Sequence, residues 1–267
     1  MAQTQIGGGT CNSSSLNGTY AVTLAGRQVT SAGNFSNIFQ ANGSATFDGQ
    51  SKVAFALTSN TLQSLGTQIS YAGTYSVQAN CAGLVNIATG GSITFNLAIY
   101  NQGKNFLVAG SDATYSYTGS GGTQPTGCAT SMLSGVYTFN ATGYSFASSV
   151  KGITNAEGLL QFDGQGNVIA NLSSAAGGAA IASTTASGTY SLSANCLGTA
   201  TLTDAGGNSM SMIFSITAAK ATSFDVLVAE ASKYMITGSG RAVYGQPTAA
   251  AFELLRREAI PSYRRRA

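Results

Sequence analysis

Residues 73–83 read GTYSVQANCAG and residues 188–198 read GTYSLSANCLG, identical at eight of eleven positions. The match extends both ways. LNGTY at 16–20 answers LSGVY at 133–137, and FDGQ at 47–50 answers FDGQ at 162–165. LVA at 107–109 answers LVA at 227–229, and TGSG at 118–121 answers TGSG at 237–240. The offset drifts only between 115 and 120 residues. A period of roughly 20–50 residues would mean a solenoid of small units; this one means two whole domains built from one unit. TGSGGTQPTG, rich in Gly, Thr and Pro, reads as the join. The expected organisation is a segment 1–10, a first domain 11–118, a linker 119–127, a second domain 128–245 and a basic tail 246–267.

Inside each unit the apolar period is two, the signature of a half-buried strand. Ile93, Phe95, Leu97 and Ile99 alternate with Ser92, Thr94, Asn96 and Ala98, and Met212, Phe214 and Ile216 repeat the pattern in the second copy. Charged residues make up only 8% of the chain, against about 25% in typical soluble proteins. Long surface helices draw on such residues, so the composition agrees with sheet. About eight strand candidates per copy, joined by short turns, predict an all-β antiparallel meander. Closure into an up-and-down barrel would remove its edges. The expected architecture is two tandem barrels of about eight strands, with two β-sandwiches as the alternative.

The four cysteines follow the duplication. Cys11 and Cys128 each lie five residues before the matched leucines Leu16 and Leu133, while Cys81 and Cys196 share the ANC motif. Four cysteines allow three pairings. An ancestral single unit closes only one, which favours Cys11–Cys81 and Cys128–Cys196. Zinc would need closely spaced ligand pairs or histidines, and the chain has neither. Disulfides imply an oxidising compartment. No apolar run approaches a membrane span. AQTQ after Met1 resembles the start left by a signal-peptidase cut, so a secreted or cell-surface protein is expected.

The missing histidine removes the usual general base and metal ligand at neutral pH. Asp48 and Asp163 sit in Asp-Gly pairs, which read as hairpin turns capped by the carboxylate rather than as catalytic groups. The loose glycine clusters lack the Lys and helix start of a phosphate cradle. No catalytic, cofactor or metal site is expected. Tyr20, Tyr75, Tyr137 and Tyr190 recur at matched GxY positions, either as barrel filling with a bonded hydroxyl or as an aromatic cage. Phe95, Leu97, Phe214 and Ile216 are expected to line the barrel interiors. The tail carries Arg256, Arg257, Arg264, Arg265 and Arg266 with two glutamates, hence the whole net charge of +3. It reads as a short helix or a disordered end that contacts an anionic surface. The body is left with equal numbers of cations and anions, which argues against nucleic-acid binding.

The order L-x-G-x-Y, F-D-G-Q, G-T-Y-S-x-x-x-x-C-x-G, LVA resembles a class of duplicated secreted bacterial proteins akin to calycin-like barrels of the avidin, lipocalin and allene-oxide-cyclase type. The resemblance implies the fold and transfers no active site. Three functions are in view. The first is a non-enzymatic secreted or cell-envelope protein acting by self-association or contact with a surface or polysaccharide, as its low-charge exterior suggests. The second is a carrier of small apolar ligands. The third is an isomerase or cyclase, which would require a carboxylate inside a barrel.

Overall fold

The computed structural model describes residues 10–29, 35–62, 64–88, 92–146, 150–176, 182–230 and 234–243. The first copy contains β1 (Asn17–Val29), β2 (Phe35–Asp48), β3 (Lys52–Thr61), β4 (Thr67–Val77), β5 (Ala82–Ile87), β6 (Ile93–Tyr100), β7 (Asn105–Ser111) and β8 (Ser116–Thr123). The second contains β9 (Ser134–Phe146), β10 (Val150–Asp163), β11 (Asn167–Ala176), β12 (Ala182–Leu192), β13 (Leu197–Asp204), β14 (Ser209–Ile216), β15 (Ser223–Glu230) and β16 (Tyr234–Ala242). Each set is antiparallel, runs in sequence order and closes, β8 on β1 and β16 on β9. The molecule is thus two eight-stranded up-and-down barrels, and the sandwich alternative is excluded. The tail, with its five arginines, lies outside the described residues, as does most of segment 1–10.

Strand β8 runs to Thr123, so TGSGG at 118–122 is barrel wall rather than the expected linker. Its glycines are explained by packing. A Cβ at Gly121 would collide with the Phe106 ring, and one at Gly240 with the Phe224 ring. The same register corrects the LVA match. Ile99 pairs with Phe106 and Ile216 with Phe224, so Leu107 corresponds to Asp225 and not to Leu227. A two-residue slip keeps every side chain on its own face, so alternation alone could not reveal it.

Each barrel has one closed end. Asn12 caps the short 3-10 turn Ser13–Ser15, and Leu16 follows, fully buried. Leu133, after Thr130–Met132, repeats the plug. The disulfides Cys11–Cys81 and Cys128–Cys196 fasten these segments to the β4–β5 and β12–β13 turns, with Cα–Cα separations of 5.0 and 5.1 Å. Above each plug lies an aromatic cluster. Phe47 contacts Tyr20, Tyr75 and Phe106 with centroids 5.5, 4.9 and 5.7 Å away. Phe162 does the same with Tyr137 and Tyr190, at 5.4 and 4.8 Å.

The barrels pack side by side through unlike faces. Outward residues of β1 and β2 meet outward residues of β14, β15, β16 and β9. Ile38 is buried against Met235 and Tyr144, and the Arg27 guanidinium lies over the Tyr144 ring, 5.4 Å from its centre. Thr23 hydrogen-bonds Asp225 across the join. Gln40, Asn42 and Ser215, polar residues on the outer faces of their strands, are almost completely buried.

Candidate functional site

The two barrels differ at their open ends. In the first, Phe39, Phe55, Tyr71, Phe95 and Tyr117 converge on the axis. Phe39 and Phe95 each meet Tyr117 edge-on, at 5.5 and 5.7 Å between centroids. Tyr117 donates its hydroxyl hydrogen to Asp112 Oδ2 at 2.5 Å. Burial and this bond raise the phenol pKa far beyond its ordinary value. A void of only about 30 Å³ remains among these rings.

Strand register identifies the counterparts in the second barrel. Gly26 pairs with Phe39 and Tyr117, whereas Gly143 pairs with Thr154 and Ile236. Phe55 pairs with Tyr71, whereas Ala170 pairs with Ala186. Val85 pairs with Phe95, whereas Ala200 pairs with Met212. Five aromatic rings are therefore replaced by Thr, Ile, Ala, Ala and Met. Three of these replacements, Thr154, Met212 and Ile236, line a cavity of about 300 Å³, at the lower end of ordinary ligand pockets.

Its wall is mainly apolar, with Phe139, Leu160, Met212, Val228 and Ile236 facing inward. Ser174, Thr184, Asp204 and Asn208 form a polar rim. Tyr234 reaches across that end, its hydroxyl 3.9 Å from Met210 Sδ. One wall residue is anomalous. Thr154 is only 3% exposed, and its Oγ1 has no hydrogen-bond partner among the described residues.

Most residues singled out from the sequence sit elsewhere. All four GxY tyrosines lie at the closed ends with bonded hydroxyls. Tyr20 donates to Gly103 O at 2.8 Å and Tyr137 to Ala221 O at 2.9 Å. Tyr75 and Tyr190 reach the carbonyls of Leu16 and Leu133, at 2.9 and 2.7 Å. Burial pushes Tyr137 up to about 12; burial, with Asp163 nearby, does the same for Tyr190. Leu97, Phe214 and Ile216 are buried core. Phe95 borders the small void of the first barrel. The cavity-lining set was missed because a gap is defined by what is absent on five strands at once.

Asp48, Asp112, Asp163 and Asp204 cap turns. Asp48 Oδ1 accepts from the backbone N–H groups of Gln50, Ser51 and Lys52 at 2.8, 2.8 and 3.0 Å. These bonds, led by that from Lys52, hold its pKa below the usual range. Asp163 and Asp204 make corresponding bonds to Asn167 and Asn208, each at 2.9 Å. Asp204 thus reaches the cavity rim while bonded to its own turn. Among the described residues no cluster of His, Cys, Asp or Glu is fit for a metal, and no helix is long and apolar enough to cross a membrane.

No family profile matches the chain, and no curated protein matches it. Fifteen solved chains resemble it in structure. One is a protein of unknown function from the DUF3598 family of Nostoc punctiforme, at 7% identity and a TM-score of 0.28; the match covers 91% of this chain and all of that one. Another is the vaccine antigen Transferrin Binding Protein B of Haemophilus parasuis, at 8% identity and a TM-score of 0.32; it covers 84% of this chain and 75% of that one. Likenesses this distant carry no argument about function.

Proposed function

We propose that the protein is a non-enzymatic carrier with one working site, the interior of the second barrel, which takes a small apolar molecule. The supporting observation is the contrast in filling, about 300 Å³ against about 30 Å³ in otherwise matched barrels. A core under packing pressure alone tends to fill such space, because voids cost stability. The first barrel acts as the rigid partner. The two disulfides fit work in a periplasmic or extracellular setting. Titration calorimetry with butylbenzene tests the reading. The wild type is expected to bind with a 1:1 stoichiometry. The variant Met212→Phe with Ile236→Tyr, which restores two rings of the first barrel at positions that line the cavity, is expected to lose at least tenfold in affinity without losing thermal stability. Equal binding by both proteins, or none by the wild type, refutes the carrier.

A second reading is favoured by Tyr100 and Leu107, which are 51% and 53% exposed and lie diagonally on the outer faces of β6 and β7. Neighbouring exposed apolar side chains mark contact surfaces, here for an envelope component or polysaccharide. Changing both to Ser is expected to abolish co-sedimentation with insoluble cell-wall polysaccharide; unchanged pelleting removes this reading.

A further inference from the structure

We infer that the ligand of the second barrel is a neutral amphiphile, a small alcohol or ketone, whose single polar group is received by Thr154. This inference rests on the carrier reading and narrows it. Three observations converge on the ligand's chemistry. The first is the orphan hydroxyl. Thr154 occupies the position of Phe39, where an apolar residue would pack without penalty, yet it presents a buried Oγ1 with no partner among the described residues. Leaving a buried polar atom unpaired costs about 1–3 kcal/mol. A ligand oxygen beside it removes that cost, since a threonine hydroxyl both donates and accepts.

The second observation is charge. Among the described residues that line the cavity, Asp204 is the ionisable carboxylate, and no Lys or Arg is present. A carboxylate ligand would enter past a like charge and find no cation to pair with, and burying an unpaired charge is strongly unfavourable. The described lining therefore disfavours fatty-acid-like anions. The third is size. A cavity of about 150 Å³ accommodates benzene, so one of about 300 Å³ suits a molecule of roughly ten to twelve non-hydrogen atoms. The body of such a molecule would lie between Leu160, Met212 and Val228, with its oxygen toward β10.

Three probes on one skeleton test the inference by calorimetry at pH 7: butylbenzene, 4-phenylbutan-1-ol and 4-phenylbutanoate. Thr154→Val keeps the shape of the side chain and removes the hydroxyl. It is expected to weaken the alcohol about tenfold while leaving butylbenzene unchanged or tighter, the difference being the coupling between the two hydroxyl groups. The carboxylate is expected to bind wild type at least tenfold more weakly than the alcohol. Should Thr154→Val weaken alcohol and hydrocarbon equally, or neither, the hydroxyl is not the anchor. Should the carboxylate bind as well as the alcohol, the demand for a neutral ligand is wrong. In both cases butylbenzene binding, and with it the carrier, still stands. Absence of butylbenzene binding overturns both.

Discussion

Breaking the Cys128–Cys196 bond by Cys128→Ala is expected to lower the stability of the second barrel by roughly 4 kcal/mol, the loop-closure value for a ring of about 70 residues. The bond spans 68 residues. It also fastens the Leu133 plug under the Phe162 cluster, alongside the Tyr190 hydroxyl bond to Leu133 O and the Cys128 N–H bond to Ala194 O. A companion variant separates two contributions. Cys196 has φ 63° and its counterpart Cys81 has φ 64°, the left-handed region that costs an L-residue about 1–2 kcal/mol. Adding Cys196→Gly to Cys128→Ala is therefore expected to recover about 1 kcal/mol. Urea denaturation of the variants checks both figures. A loss below about 1 kcal/mol for Cys128→Ala would mean that the plug holds without its bond.

The second large effect is a dependence on pH at the join of the barrels. Asp225 faces Thr23 of the other barrel. Burial lifts its pKa from 3.8 to about 6, opposed by the Thr23 hydrogen bond and by Arg241. The folded protein therefore holds this proton more tightly than the unfolded chain does. Its contribution to stability is fully present below about pH 4 and is lost as the pH rises through 6. The interval from 3.8 to about 6 corresponds to at most about 3 kcal/mol. Asp48, whose pKa is depressed, acts in the opposite sense at lower pH. The chain has no histidine, so little else titrates between pH 5 and 7. Wild-type stability is expected to fall over that interval. Asp225→Asn, which keeps an acceptor for Thr23, is expected to flatten the curve and to be the more stable protein at pH 7. An unchanged slope in the variant would place the titrating group elsewhere.

Legibility in the sequence followed the range of the interactions. The strands, the turn-capping role of Asp48 and Asp163 and the cysteine pairs were readable, because each rests on a local pattern or on the duplication. The glycines of β8 misled. They meet the requirements of a linker by composition, and only the ring of Phe106 on the neighbouring strand explains them. The paired LVA segments misled for another reason, since strand periodicity is blind to a shift of two. The cavity was out of reach without the register. Thr154, Ala170, Ala186, Met212 and Ile236 are unremarkable residues singly. They matter because barrel closure brings their positions together, and because the matched positions of the first barrel carry rings.

The side-by-side packing has a direction. Ile38 is 1% exposed in the join, whereas Ile153, at the same register position in the second barrel, is 61% exposed. Both units thus carry the knob, and only that of the first is seated, against Met235 and Tyr144 of the second. The order of the halves along the chain is thus written into which of the two matched isoleucines is covered.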